Sequence, residues 1–331
     1  MNFIPIQYGA AAYPSHIKCE IKEIAGHFDK DAIACAGAFS LHTEYSYGKR
    51  AFSGALIGKF DELKSAQKDG VPQLWRSAKW AEQFADFIFE LVATNGANSS
   101  TNLGVSKISN GENSTSLSNS NSVNFNAKNS ANDLNLNGAK PHAPAIIEIH
   151  PPFNDYCDLD EFFAHYERFE RKIHAEFDSQ ILIENRVGTL YRGGRFLVQK
   201  ASEIAALCER IAKNGVNLGV VLDFPQLLTA EKIDTTRFDK AKFKAALDAL
   251  QPYAAQVSGI HIWGKKKNRA GRWVAHCGDF DAFFEGNADS RDFFVAQIKQ
   301  FCDDGRARYF VPEVNSGEKD LREIVKYFFE I

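Results

Sequence analysis

Five short runs, AIIEIH (145–150), QILIEN (180–185), LGVVLD (218–223), VSGIHIW (257–263) and YFVPEV (309–314), are apolar at nearly every position and alternate with longer stretches of helical period. A strand that carries apolar side chains on both faces must be covered on both, which is the condition of a parallel sheet packed under helices. Between the runs, Leu159, Phe162, Phe163, Tyr166, Phe169 and Ile173 fall on one helical face. The same holds for Ile204, Leu207, Cys208 and Ile211, for Phe243, Leu247 and Leu250, and for Leu321, Ile324, Val325 and Phe328. Upstream, FIPIQY (3–8) and AIACAGAFSLH (32–42) bring the strand total to seven. Repeated βα units make either an open doubly wound sheet or a closed barrel. Neither G-x-G-x-x-G nor G-x-x-x-x-G-K-[ST] follows a run, which removes the best sign of a nucleotide-binding open sheet. The expectation is an α/β fold, a (β/α)8 TIM barrel. Its eighth strand is expected in residues 9–31 or in 263–308, where RWVAH (272–276) is a candidate.

One segment departs from this pattern. From Asn95 to Lys140 about half the residues are Asn or Ser and aromatic residues nearly vanish. Such a tract cannot bury enough apolar surface to offset its ordering entropy. Residues 95–140 therefore read as a flexible, disordered insertion within a single domain spanning 1–331, because the helix-patterned stretch before it and the strand-patterned stretch after it both need partners elsewhere. The remaining residues, about 285, suit one barrel. The insertion falls after a helix and before a strand, so it should leave from the face opposite the catalytic mouth. No run reaches the roughly 18 apolar residues of a membrane helix, and the first residues lack a signal-peptide pattern, so the expected setting is cytoplasmic. Six cysteines lie scattered without C-x-x-C spacing, against a disulfide framework or a zinc-thiolate site. The net charge of −3 argues against whole-surface nucleic-acid binding but allows a local basic patch.

Strand after strand ends in a residue able to hold a metal. These are His42 in FSLHTEY, His150 in IEIHPP, Glu184 in LIENR, Asp223 in VVLDFPQ, His261 in GIHIWG and Glu313 in FVPEVN. Barrel active sites gather side chains from the C-terminal ends of several strands. Any one of the six has an ordinary structural explanation, since a strand-end carboxylate also caps helices or pairs with arginine. Together, crowded carboxylates repel one another unless a cation or proton neutralises them. Mixed His/Asp/Glu ligation suits Zn²⁺, Mn²⁺ or Fe²⁺ better than Mg²⁺ or Ca²⁺.

The order Glu184, Asp223, His261, Glu313 on successive strands resembles the metal-binding core of the xylose-isomerase-like barrel superfamily. That superfamily holds sugar isomerases and epimerases as well as apurinic endonucleases of the endonuclease IV type. LHTEY at His42 and IHPPF at His150 are similar to the extra histidine motifs of the nucleases. The resemblance implies one metal on His42, His150 and Glu184, with Glu184 bridging to a second on Asp223, His261 and Glu313. In the nucleases a third metal uses a later histidine and a D-x-H motif. Here the first of those positions is Gln226, and His276 follows RWVA with no aspartate, so two ions, Zn or Mn, are the better match.

Two chemistries fit. The first is two-metal hydrolysis of a phosphodiester, with DNA as substrate. Cations on loops after the strand ends favour it: Lys265, Lys266, Lys267, Arg269 and Arg272 after His261, and Arg186, Arg192 and Arg195 after Glu184. Trp263, Trp273 and Tyr191 lie among them and could stack on bases or a sugar, or only pack the loops. The second is isomerisation or epimerisation of a sugar or sugar phosphate, with Glu184 and Glu313 moving protons and the basic loops holding one phosphate. His42 and His150 favour hydrolysis, because a one-metal isomerase has less need of them. His276 is left as either a ligand or a substrate contact. No obligate protein partner and no membrane partner is evident.

Overall fold

The computed structural model describes residues 1–8, 12–25, 38–43, 75–101, 143–188 and 194–329. Eight parallel strands close on themselves: β1 (Asn2–Gln7), β2 (Ile21–Ala25), β3 (Phe39–His42), β4 (Ile146–Ile149), β5 (Gln180–Glu184), β6 (Gly219–Asp223), β7 (Val257–Ile262) and β10 (Ala307–Pro312). Around the ring the order is β1, β10, β7, β6, β5, β4, β3, β2. The expected TIM barrel is thus present, and its eighth strand is β2, in the first of the two expected places. RWVAH is not a barrel strand. Trp273–Ala275 (β9) pairs antiparallel with Lys265–Lys267 (β8), forming a hairpin outside the barrel in which Trp273 and Val274 are exposed. A strand buried on both faces could not carry that surface.

The barrel is filled, not hollow. Ile6, Ile21, Ile146, Leu182, Val221, Tyr309 and Val311 form one apolar cluster within it. Because strand side chains alternate, the residue two places on from several of these points the same way, one layer nearer the mouth. Those next positions are Glu23, Glu148, Glu184, Asp223 and Glu313. The alternation therefore stacks a ligand layer directly on an apolar plug.

Outside the barrel, helices cover the strands' other faces. α1 (Ala78–Thr101) packs on α2 (Leu159–Glu176), with Phe84 stacked on Phe169 at 5.2 Å and Trp75 edge-on to Phe162 at 5.1 Å. Asp158 caps α2 and forms a capping box with Glu161, satisfying backbone N–H groups that the first turn leaves orphaned. On the far side Phe294 of α7 (Ala288–Phe301) meets Phe243 of α5 (Lys240–Leu250) at 5.2 Å. At the base, buried Arg308 donates to the carbonyls of Val257, Cys302 and Ala254 and to both oxygens of Asp304. That network supplies partners for a guanidinium that could not otherwise be buried. Cys157, Cys208 and Cys302 are buried thiols, and among the described residues no disulfide forms. None of the described helices is long and apolar enough to cross a membrane.

The Asn/Ser-rich tract begins at 95, and α1 continues through its first residues to Thr101; residues 102–142 lie outside the described residues. The chain re-enters the barrel at the start of β4, the end opposite His150. Removing residues 97–139 should therefore leave metal binding and catalysis within about twofold of the intact protein. Assaying the shortened protein checks this, and loss of either property would contradict it.

Candidate metal centre

Six side chains expected at the barrel mouth do converge there. His42 ends β3, Glu184 ends β5, Asp223 ends β6, His261 lies one residue before the end of β7, and His150 and Glu313 follow β4 and β10 directly. Strand register sets them level, with His42 opposite Glu148 and Asp223 opposite His261. Two more carboxylates, Glu23 and Glu148, join them, and none of the eight is more than 7% exposed.

The contacts form overlapping groups, two of which contain Glu184. Its Oε2 lies 2.9 Å from His150 Nε2 and 3.5 Å from His42 Nε2, and those two nitrogens face each other at 3.0 Å. Its Oε1 lies 3.7 Å from His261 Nδ1, which is 3.3 Å from Glu313 Oε1. Ligand atoms of His42, His150 and Glu184 all lie within 4.8 Å of one another, as do those of Asp223, His261 and Glu313, and those of Glu148, Glu184 and His261. Glu184 thus presents one oxygen to each side.

The donor set fits divalent cations better than it fits itself. Glu148 Oε1, Glu23 Oε2 and both ring nitrogens of His261 are buried without an aligned hydrogen bond. Between the facing Nε2 atoms of His42 and His150 at most one proton can be shared. Burial raises the Asp223 carboxyl well above the ordinary carboxylate range, and the neighbouring anions of Glu184 and Glu313 push it further. Burial also acts to raise Glu184, but hydrogen bonds from His150 and His42 hold it well below that range. Burial works to lower His42 and His261, yet the carboxylates around them, Glu148 first, hold both well above the usual imidazole range. His150 is pushed down to about 4, by burial and then by Arg186, and so stays neutral. A buried cluster of carboxylates that leans on the protonation of its neighbouring imidazoles is one that a bound cation would relieve.

Neighbouring residues hold these groups in place. Asp223 caps α4 (Phe224–Ala230) through Oδ1, accepting from Gln226 N, and its Oδ2 accepts from the buried Trp263 indole N–H at 2.8 Å. The Gln226 amide is oriented by the backbone: Val187 N donates to its Oε1 at 2.7 Å, so its Nε2 must face Glu184 Oε1, at 3.2 Å. Gln226 thus points an NH₂ group into the centre. His276 Nδ1 lies 3.2 Å from Glu313 Oε2, its ring stacks on Trp263 at 4.5 Å, and its positive φ of 56° aims the half-buried ring at the rim.

Of the expected substrate contacts, Arg186 reaches furthest in, with Nη1 2.8 Å from His150 Nε2. Lys265 and Lys267 lie over the Trp273 ring at 4.8 and 4.9 Å. Lys266 and Lys267 pair with Asp320 and Glu285. Arg269 and Arg272 stand exposed at the hairpin turn, with no acidic partner among the described residues. Arg195 pairs with Glu203, away from the centre. Arg192 and Tyr191 lie outside the described residues. The hairpin leaves the mouth through Gly264, where a Cβ would come within 2.4 Å of the Gly278 carbonyl oxygen.

No protein-family model matches the chain, and no curated protein matches it in sequence. Solved structures share its outline. A D-tagatose 3-epimerase-like protein is similar at 11% identity and TM-score 0.42, covering 95% of this chain and 87% of that one. The structure of AsfvAP:AG is similar at 7% identity and TM-score 0.44, covering 92% and 94%. The probable 3-DHS dehydratase AsbF of Bacillus anthracis, involved in petrobactin synthesis, is similar at 11% identity and TM-score 0.32, covering 57% and 77%.

Proposed function

We propose that this barrel is a divalent-metal-dependent phosphoesterase of the xylose-isomerase-like superfamily, cutting a phosphodiester in DNA. The observation that carries the reading is Glu184, whose Oε2 faces His42 and His150 and whose Oε1 faces His261, which itself groups with Asp223 and Glu313. Two divalent ions, Zn or Mn, would supply charge neutralisation at the phosphoryl oxygens and a lowered pKa for the attacking water. The chain's own groups do the rest. Gln226 and Trp263 fix the carboxylates of Glu184 and Asp223, so that the centre need not reorganise during reaction. His276, on the rim beside Glu313, is placed to hand a proton to a leaving oxygen. Arg186 brings a permanent charge to the edge of the first ligand set, where a phosphate would lie.

Glu184 and Glu313 also flank His261 Nδ1 at 3.7 and 3.3 Å, the placement that sugar isomerisation would use. Incubation with plasmid bearing abasic or ultraviolet lesions separates the readings. Metal-dependent nicks support hydrolysis; no cutting across several lesion types, together with interconversion of a ketose, overturns it.

Of the hairpin's cations, Arg269 and Arg272 are the ones proposed to meet phosphate. Since Lys266 and Lys267 are paired, the exposed Arg269 and Arg272 carry most of the available charge. Replacing both by Ala should reduce the slope of log affinity for DNA against log salt by about 1.8, at about 0.9 per phosphate contact. An unchanged slope would assign the hairpin tip to solvent.

A further inference from the structure

Two glutamates lie among the ligands without belonging to the expected set. Glu23 Oε1 is 3.1 Å from His42 Nδ1, and Glu148 Oε1 is 3.2 Å from His261 Nε2. In each ring the opposite nitrogen faces the centre: His42 Nε2 meets His150 and Glu184, and His261 Nδ1 meets Glu184 and Glu313. A neutral imidazole carries one N–H, and a carboxylate beside one nitrogen keeps the proton there, leaving the other lone pair for a metal. We infer that Glu23 and Glu148 are positioning residues that fix the two tautomers in opposite senses, Nδ1–H on His42 and Nε2–H on His261.

Proton counting supports this. With Nε2 given to a metal and its one proton on Nδ1, His42 cannot donate to Glu148, which lies 3.5 Å from that Nε2. The nearer nitrogen, His261 Nε2, is then the one that gives the buried Glu148 Oε1 a donor, after a small ring rotation from the off-axis contact seen here. Both glutamates are buried, on the inward faces of β2 and β4, where an unpartnered carboxylate would be costly. The assignment rests on the metal reading of the centre, not on which bond the enzyme cuts.

Titration of the protein with Zn²⁺ and with Mn²⁺ tests it, comparing wild type with Glu23→Gln and Glu148→Gln. A glutamine can present either its oxygen or its NH₂ to the ring, so tautomer selection is lost while shape is kept. Each variant should bind about 10 to 100-fold more weakly with the number of sites unchanged. Unchanged affinity overturns the inference, and so does loss of a whole equivalent, which would make the glutamate a direct ligand. Because a variant could fail to fold, ¹⁵N spectra of Zn²⁺-loaded wild type give a second readout. The protonated nitrogens should be Nδ1 of His42 and Nε2 of His261; the reverse at either ring contradicts the assignment. Wild-type affinity alone tests the metal reading, so the two can fail separately.

Discussion

Glu184→Gln should slow the cutting of lesion-bearing DNA by at least about a thousandfold, about 4 kcal/mol of transition-state stabilisation. The substitution keeps the volume of the side chain and removes its charge. An amide also has only one oxygen, so whichever way it turns, an NH₂ group faces one of the two ligand sets. If the oxygen stays toward His150, the NH₂ meets the Gln226 amide, itself turned with its NH₂ inward by the Val187 N–H, and two donors collide where a donor and an acceptor met. The measurement is the nicking rate, with the thermal midpoint as a check on folding. A folded variant that loses less than tenfold would show that Glu184 does not join the two halves of the centre.

Removing two bound ions by chelation should lower the thermal midpoint by roughly 16 °C. At a thousandfold excess over Kd each bound ion stabilises the native state by about 4 kcal/mol, and in a domain of this size each kcal/mol moves the midpoint by roughly 2 °C. Removing the ions leaves Glu23, Glu148, Glu184, Asp223 and Glu313 crowded in a buried layer, where neutralisation must come from protons. Differential scanning with and without chelator measures the shift, and added Mn²⁺ or Zn²⁺ should restore it. An unchanged midpoint in chelator would mean that the cluster is satisfied by its own protons.

Most of the barrel was legible because a parallel strand under helices must be apolar on both faces, and seven strands obey that rule. β2 does not, since IKEIA places Lys22 in solvent and Glu23 in the barrel, so a search for apolar runs passes over it. With β2 expected only somewhere in residues 9–31, Glu23 could not be singled out either. Glu148 was within reach: it stands two residues before His150 in a run otherwise apolar, so alternation turns both to the same face. The partners of Trp263 and Gln226 were not legible. Whether an indole N–H binds substrate or a neighbouring carboxylate depends on how two strand ends and a helix start meet, which no local pattern records. The pairing of Lys266 with Asp320 and of Lys267 with Glu285 joins residues 54 and 18 positions apart, again invisible to charge counting along the chain.

Eight buried side chains at one end of this barrel are expected to form a two-ion centre. Metal analysis of the purified protein, repeated after reconstitution with Mn²⁺ and with Zn²⁺, tests it most directly. Two equivalents per chain, falling in Glu184→Gln, is the expected result; no bound metal before or after reconstitution would contradict it.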